Sequence, residues 1–396
     1  LDGLTMMSYE SALDAVLSRS SLMHVESVPL EQALMRVLAR DVHMDIDVPP
    51  FDKSAVDGFA CRRTDLPGAL LLAEEIAAGA MARRGLRPGE CMSMMTGAPL
   101  PEGADCVVMK EQAEQVGEDR IRVAAAPESD HYCRKGEDIC AGGMLMARGT
   151  RLGPQHLAAL ATAGCVQPAV FGRPRVGVIA TGSELVAPEQ RPTGGQIRDS
   201  NSAQLAALLR QLGCDPKYYG IAEDTSEALT AAFAQALEEC DVLLSTGGVS
   251  VGAYDLVPEI AEMLGLTTHV RKVAIQPGKP MVFATSNECA LFGLSGNPVS
   301  SYVQFLLFVQ PYLLKRMGTD PAARSIRVPL AEDVSRRNTE RMQWIPVRFT
   351  PAGEAAPVQY HGSAHLFSLM QADGLIALGI GEQSRTPGTP TDVRLL

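Results

Sequence analysis

Excess positive charge is missing from this chain of 396 residues: 35 lysines and arginines stand against 46 aspartates and glutamates, a formal net charge of -11. That balance excludes nucleic acid as the main business of the surface, and an anionic ligand would need a locally basic pocket. Long apolar runs are missing too. The most apolar segment, Tyr302 to Leu314, is broken by Gln304, Gln310 and Pro311, short of the roughly 18 residues a membrane helix needs, so no membrane role is expected. Leu1 to Glu10 lacks a basic region followed by an apolar core, so no secretory leader is read there. Leu1 itself suggests a missing or processed start, and the cytoplasm is the expected location. The nine cysteines include no Cys-x-x-Cys pair, which argues for reduced core thiols over a disulfide framework or a zinc site. His361 and His365 are four apart but have no third ligand, so packing or hydrogen bonding is expected of them rather than metal. Internal repeats are absent as well.

What the chain does have is a large apolar share, 46%, with 20% charged residues, enough for two to four domains at roughly 100 to 200 residues each. Helical spacing at Tyr9, Leu13, Val16 and Leu17 follows a cap at Ser8, and a second helix is expected from Pro29 through Leu38. From Asp45 to about Ile139 short apolar runs such as Cys106 to Met109 alternate with Pro- and Gly-rich turns, a β-rich pattern. Helical periodicity returns at Pro154 to Ala163. After Pro174, strands (Val176 to Ala180, Lys217 to Ile221, Val242 to Ser245) alternate with helices (Ser202 to Leu212, Ser226 to Glu238, Leu256 to Leu264). Apolar runs at Thr267 to Ile275, Met281 to Ala284 and Leu291 to Leu294 precede a long helix from about Pro298 to Met317. Short runs at Val328 to Leu330, Trp344 to Phe349 and Leu375 to Leu378 end the chain. The expected fold is a multidomain α/β chain with four units. Residues 1–45 and 140–173 form an N-terminal helical and extended linker unit; 46–139, an inserted β-rich unit; 174–319, a doubly wound, mostly parallel α/β domain; 320–396, a small β-domain.

Ligands of an open α/β sheet bind beyond the carboxyl ends of its strands, where loop amides and helix N-termini converge. Here those ends carry Thr181, Gly182 and Glu184; Asp224; and Gly247, Gly248 and Ser250, with Asp255 just beyond. Taken singly, each acid is a capping or solvated carboxylate. Jointly, three carboxylates on an edge whose glycine amides suit phosphate imply a hard cation between them, Mg²⁺, with a phosphorylated ligand. In Gln276-Pro277-Gly278-Lys279-Pro280 two prolines restrict the loop around one Lys. At about 4 Å and an effective dielectric of roughly 20, that charge offers an anion about 4 kcal/mol before desolvation. Ser295, Gly296 and Asn297 lead into the long helix, either as an anion site or as its cap.

Several words, in order, carry a resemblance: PPFDKSAVDGFA from Pro49, with an apparently buried Asp57; TGAPLPEGAD from Thr96; RKGEDI from Arg134; TGSEL from Thr181; STGGVSVGAYD from Ser245; QPGKP from Gln276; GLSGNPVSS from Gly293. Over essentially its whole length the chain resembles the MoeA-type molybdopterin molybdenumtransferases, the family that includes the gephyrin E domain. The resemblance implies insertion of molybdenum from molybdate into adenylylated molybdopterin, with release of AMP and Mg²⁺ assisting. It implies catalytic roles for Asp57, Thr96, Glu184, Asp224, Asp255 and Lys279, of which Glu184, Asp224 and Asp255 would hold the metal. Substrate would be bound by Arg134, Asp138, Thr181, Gly182, Gly247, Gly248, Ser250, Pro277, Gly278, Pro280, Ser295, Gly296 and Asn297, and by Arg341 and Ser363 in the final unit. A homodimer with a site shared between subunits is implied, with a molybdopterin adenylyltransferase and molybdoenzyme maturation proteins as further partners. Gln276 stands where some members carry a second Lys, Ser295 where Pro is frequent, and Glu340 before Arg341 where many have Gly. The rival readings are a non-catalytic dimeric scaffold and an adenylyltransferase-like, nucleotide-processing enzyme.

Overall fold

The computed structural model describes residues 6–249, 256–360 and 362–396. Its centre is a six-stranded sheet built from β1 (Arg175–Thr181), β2 (Asp215–Ala222), β3 (Val242–Thr246), β4 (Thr267–Lys272), β5 (Pro280–Thr285) and β6 (Ala290–Leu294). The spatial order is β2-β1-β3-β6-β5-β4, and only β5 runs against the others. Successive residues point to opposite faces. Val176, Val178 and Leu244 therefore pack under α1 (Asn201–Leu212), while Ile179 and Leu243 pack under α2 (Ser226–Glu239) and α3 (Val257–Met263). Helices cover both faces, so the inner strands β1, β3, β5 and β6 are buried almost throughout, while the edge strands β2 and β4 are polar and partly exposed.

The expected long helix is two helices, α4 (Pro298–Gln304) and α5 (Gln310–Arg316), joined by a π turn at Phe305–Val309. Within it the Gln310 amide reaches back to the Phe305 carbonyl. A continued π register would leave the Leu306 carbonyl facing Pro311, which has no N–H. Arg394 supplies the missing donor from the other end of the chain. The first helix, Tyr9–Leu17, is capped by Ser8 and buries Ala12 and Val16 in the same core as Phe305, Phe308 and Trp344.

Two expectations need correcting. Pro29 through Leu38 holds only a 3-10 turn, Leu30–Gln32. Met35 takes φ +64, and the backbone beyond it pairs with distant segments: Met35 N to Leu152 O, Leu38 N to Thr150 O, Phe171 N to Val37 O. Tertiary pairing overrides helical spacing there. Thr267 to Ile275 is likewise not one strand. β4 ends at Lys272, and Ile275–Gln276 leaves to join a different sheet, parallel to Met342–Phe349. That second sheet continues through Gly374–Leu378, Pro390–Leu395 and Ser325–Pro329.

A third six-stranded sheet, between Gly58 and Val123, buries Phe59, Cys61, Cys91 and Cys106 on one face and Ala60, Met92, Met94 and Val107 on the other. All nine cysteines are free, six of them buried. Burial pushes the Cys91 and Cys106 thiols up to about 11, so they stay protonated and inert at neutral pH. No helix among the described residues is long and apolar enough to cross a membrane.

Candidate active site

A cleft of about 660 Å³ opens at the carboxyl edge of β1, β3 and β6. Its floor consists of two glycine-bearing loops. Gly247 takes φ +100, and a Cβ there would lie 2.3 Å from the Thr181 carbonyl oxygen, so the close approach of β1 and β3 needs glycine. Gly248 continues that loop; Ser295, Gly296 and Asn297 form the second. The two are tied by the Gly247 amide on Leu294 O (3.0 Å), by Thr246 Oγ1 on Ser295 O (3.2 Å), and by the buried Asn201 Nδ2, which donates to Thr246 Oγ1 and Gly296 O (2.7 and 2.8 Å).

The opposite wall is Gln276, Pro277, Gly278, Lys279 and Pro280. One fully buried side chain holds this wall to the second loop. Gln304 donates to Gly278 O (2.8 Å) and Pro280 O (2.6 Å) and accepts from Ser295 N (2.8 Å). A buried amide with its donors and acceptor engaged is rigid, because losing any partner exposes a desolvated polar group. Gln304 was read in the sequence only as an interruption of an apolar run. The available signal was that a lone amide in such a run needs partners.

The detour of Ile275–Gln276 into the C-terminal sheet brings in the third wall. Gln276 pairs with Gln343, and Arg341 Nη1 reaches Ile275 O at 3.4 Å. Arg341 and Ser363 therefore line the cleft, and Ser363 O accepts the first free amide of α4, Val299 N, at 3.1 Å. Neither Lys279 nor Arg341 is in an ion pair among the described residues. Both cations are thus available to an anion, with Glu184 the only carboxylate on the lining among the described residues. Val249 and Ser300, which fall inside the words from Ser245 and Gly293, also line it, as do Ile197, Tyr360 and Gly362, which carried no sequence signal. Burial pushes the Tyr360 hydroxyl up to about 12, so it remains a donor.

Other predicted residues stand apart. Thr181 and Gly182 lie beneath the first loop, and Asp224 sits at the neighbouring strand end, where its carboxylate takes the Ser183 amide at 3.4 Å. Ser250 and Asp255 fall outside the described residues, and the described residues contain no group of three or more His, Cys, Asp or Glu placed to hold a metal. Glu184 alone among the described lining residues could still supply one carboxylate to Mg²⁺, which fills its shell with substrate phosphate and water.

Asp57, Thr96, Arg134 and Asp138 do not line this cleft. They meet elsewhere: Leu100 N bonds Asp52 O (2.7 Å), Lys135 N bonds Asp52 Oδ1 (2.7 Å), and Asp138 N bonds Val48 O (3.0 Å). Asp57 is exposed, not buried, because Gly58, not Asp57, turns into the sheet. The Thr96 amide (2.7 Å) and hydroxyl (2.9 Å) both donate to its Oδ1 and hold the carboxyl below the usual carboxylate range. Arg134 pairs with Asp130 at 3.4 Å.

Three family models match in sequence: "MoeA N-terminal region (domain I and II)" over residues 7–164, "Probable molybdopterin binding domain" over 177–315, and "MoeA C-terminal region (domain IV)" over 327–396. The chain belongs to the MoeA family. A relative named molybdopterin molybdenumtransferase from Nostoc is 35% identical over 381 residues, 90% of this chain and 85% of that protein. One of the same name from Bacillus subtilis is 35% identical over 385 residues, 94% of this chain and 90% of that protein. The crystal structure of a molybdopterin biosynthesis MoeA protein from Pyrococcus horikoshii matches with a TM-score of 0.81 at 33% identity, covering 99% of each chain. The MoeA N-terminal match contains Asp57, Thr96, Arg134 and Asp138; the central match supplies most of the cleft, and the C-terminal match adds Arg341 and Ser363.

Proposed function

We propose that this chain is a molybdopterin molybdenumtransferase that inserts molybdenum from molybdate into adenylylated molybdopterin, with loss of AMP, as a cytoplasmic homodimer. The observation that carries the reading is that Lys279 and Arg341 both line one cleft whose floor is the Gly247–Gly248 and Ser295–Asn297 loops. Two cations that are in no ion pair among the described residues suit an oxyanion, and the cleft volume lies in the usual small-molecule range of roughly 300 to 1,000 Å³. Lys279 and Arg341 would hold molybdate, while Ser295, Asn297 and Ser300 would orient the pterin phosphate. Gln304 fixes the spacing of the two loops, so the reactants meet without reorganisation. Glu184 and Asp224, with Asp255, would hold Mg²⁺, which supplies charge screening at the phosphates. The second cluster, around Asp57, Thr96, Arg134 and Asp138, does not line this chain's own cleft. We infer that it completes the cleft of a second copy.

The test is incubation of the purified protein with adenylylated molybdopterin, Mg²⁺ and molybdate, following AMP and protein-bound molybdenum together. Molybdate-dependent AMP release matched by bound metal is expected. Pterin binding with neither signal would favour a scaffold over an enzyme.

A further inference from the structure

A second cavity, about 460 Å³, lies where three parts of the chain meet: the end of α1, the π turn before α5, and the Thr319 to Arg324 connector with Arg394 and Leu395. Three guanidiniums line it, from Arg151, Arg324 and Arg394, against one acidic side chain, Asp320. Asp320 is engaged in its own turn, its Oδ1 accepting Ala322 N at 2.9 Å. None of the three arginines is in an ion pair among the described residues.

Structural duties account for part of this set. Arg151 Nη2 caps Gln211 O at the carboxyl end of α1 (2.8 Å), and the buried Arg394 serves Leu306 O, Gln310 Oε1 (3.4 Å) and the Tyr9 hydroxyl. They do not account for the rest. Each guanidinium carries five N–H donors, yet Arg151 Nε is buried with no partner, and no side-chain hydrogen bond of Arg324 is formed among the described residues. Burial, and to a lesser degree the neighbouring Arg324 charge, weaken the proton affinity of Arg151. An acidic protein that concentrates positive charge in one recess has the local basic pocket an anion requires.

We propose that this cavity is a binding site for a small phosphate dianion, free or carried on an organic ester. Planar guanidinium forks match phosphate oxygens bidentately. Leu208, Leu212, Phe305 and Leu314 supply an apolar wall on which an ester's organic part would rest. Because residues of the linker, the α/β sheet's helices and the final sheet all reach the site, an occupant would brace all three. The site is separate from the Lys279 cleft and does not depend on the transferase reading.

Titration calorimetry with inorganic phosphate and with phenyl phosphate tests this on the whole protein, on Lys279→Ala and on Arg324→Gln. Arg324 is exposed and bonds only through its backbone to Leu395, so its variant should fold. Binding is expected to survive Lys279→Ala and to weaken by roughly tenfold to a hundredfold in Arg324→Gln, the loss of one charge-assisted contact. Phenyl phosphate binding at least about tenfold tighter than phosphate would identify an organic ester, since burying the ring on the apolar wall exceeds about 1.4 kcal/mol; equal affinities would identify the free ion. Binding abolished by Lys279→Ala and untouched by Arg324→Gln would overturn the proposal, as would no binding at millimolar phosphate.

Discussion

The cleft at the sheet edge and the patch around Asp57 carry comparable motif density, yet none of Asp57, Thr96, Arg134 and Asp138 lines the cleft. In the cleft, segments separated by as many as 95 residues are locked to each other by buried amides, Asn201 and Gln304, and by the strand Ile275–Gln276 that crosses into the C-terminal sheet. Around Asp57 the motif words are locked just as firmly, by backbone bonds between Val48 to Leu100 and Lys135 to Asp138, but they present a surface with exposed carboxylates. A motif fixes which residues are held still. Whether they enclose a substrate depends on what comes to face them.

The largest effect should follow from removing the central cation of the cleft. Lys279→Ala is expected to reduce molybdate-dependent molybdenum insertion by about a hundredfold or more, in line with the loss of one oxyanion-stabilising group, while the urea midpoint stays put. An unchanged rate would move the anion site away from the cleft.

Next comes the clamp. Gln304→Leu leaves Ser295 N, Gly278 O and Pro280 O unpaired in a buried setting, at about 1 to 3 kcal/mol each before relaxation. Equilibrium unfolding should show a loss of about 3 kcal/mol or more. Insertion activity should fall as well, with Gln304→Glu failing to restore it, since Glu cannot donate to the two carbonyls. A wild-type unfolding curve would mean the loops are held by other bonds.

Mixing subunits probes the comparison directly. Asp57→Asn and Lys279→Ala homodimers, each inactive, are expected to recover roughly a quarter of wild-type activity after random exchange, because half the dimers are mixed and each mixed dimer has one intact site. No recovery would place both residues in sites made by a single chain.

The smallest effect belongs to Asp57 itself. Its carboxyl titrates below the ordinary range because the Thr96 amide and hydroxyl favour the charged form. A depressed folded-state pKa contributes stability above the unfolded value, and the contribution is lost as pH falls through the lower folded one. Thr96→Val, which removes only the hydroxyl bond, should raise the Asp57 midpoint in an NMR pH titration and leave stability at neutral pH nearly unchanged. An unmoved midpoint would leave the Thr96 amide as the sole cause.

Much of the sheet was legible from local pattern. β1, β2, β3, α1 and α2 fall within two residues of where apolar spacing and turn residues put them, because buried strands and amphipathic helices write their period into adjacent positions. The Pro29 to Leu38 segment was not, since its helical spacing competes with pairing to residues more than a hundred positions away. Asp57 read as buried from its apolar neighbours, but in a strand entry the side of the sheet is decided by register, which neighbours alone do not reveal.

The sequence by itself determined that this chain carries a doubly wound sheet, a β-rich insertion between Asp45 and Ile139, and a family's words in the family's order. Those properties are local: turn chemistry, period and motif need only nearby residues. Tertiary structure alone decided that Arg341 lines the same cleft as Lys279, that Gln304 joins two loops, and that Arg151, Arg324 and Arg394 meet in one recess. Each depends on chain segments far apart in sequence being brought together by packing, and no period or spacing records such a meeting.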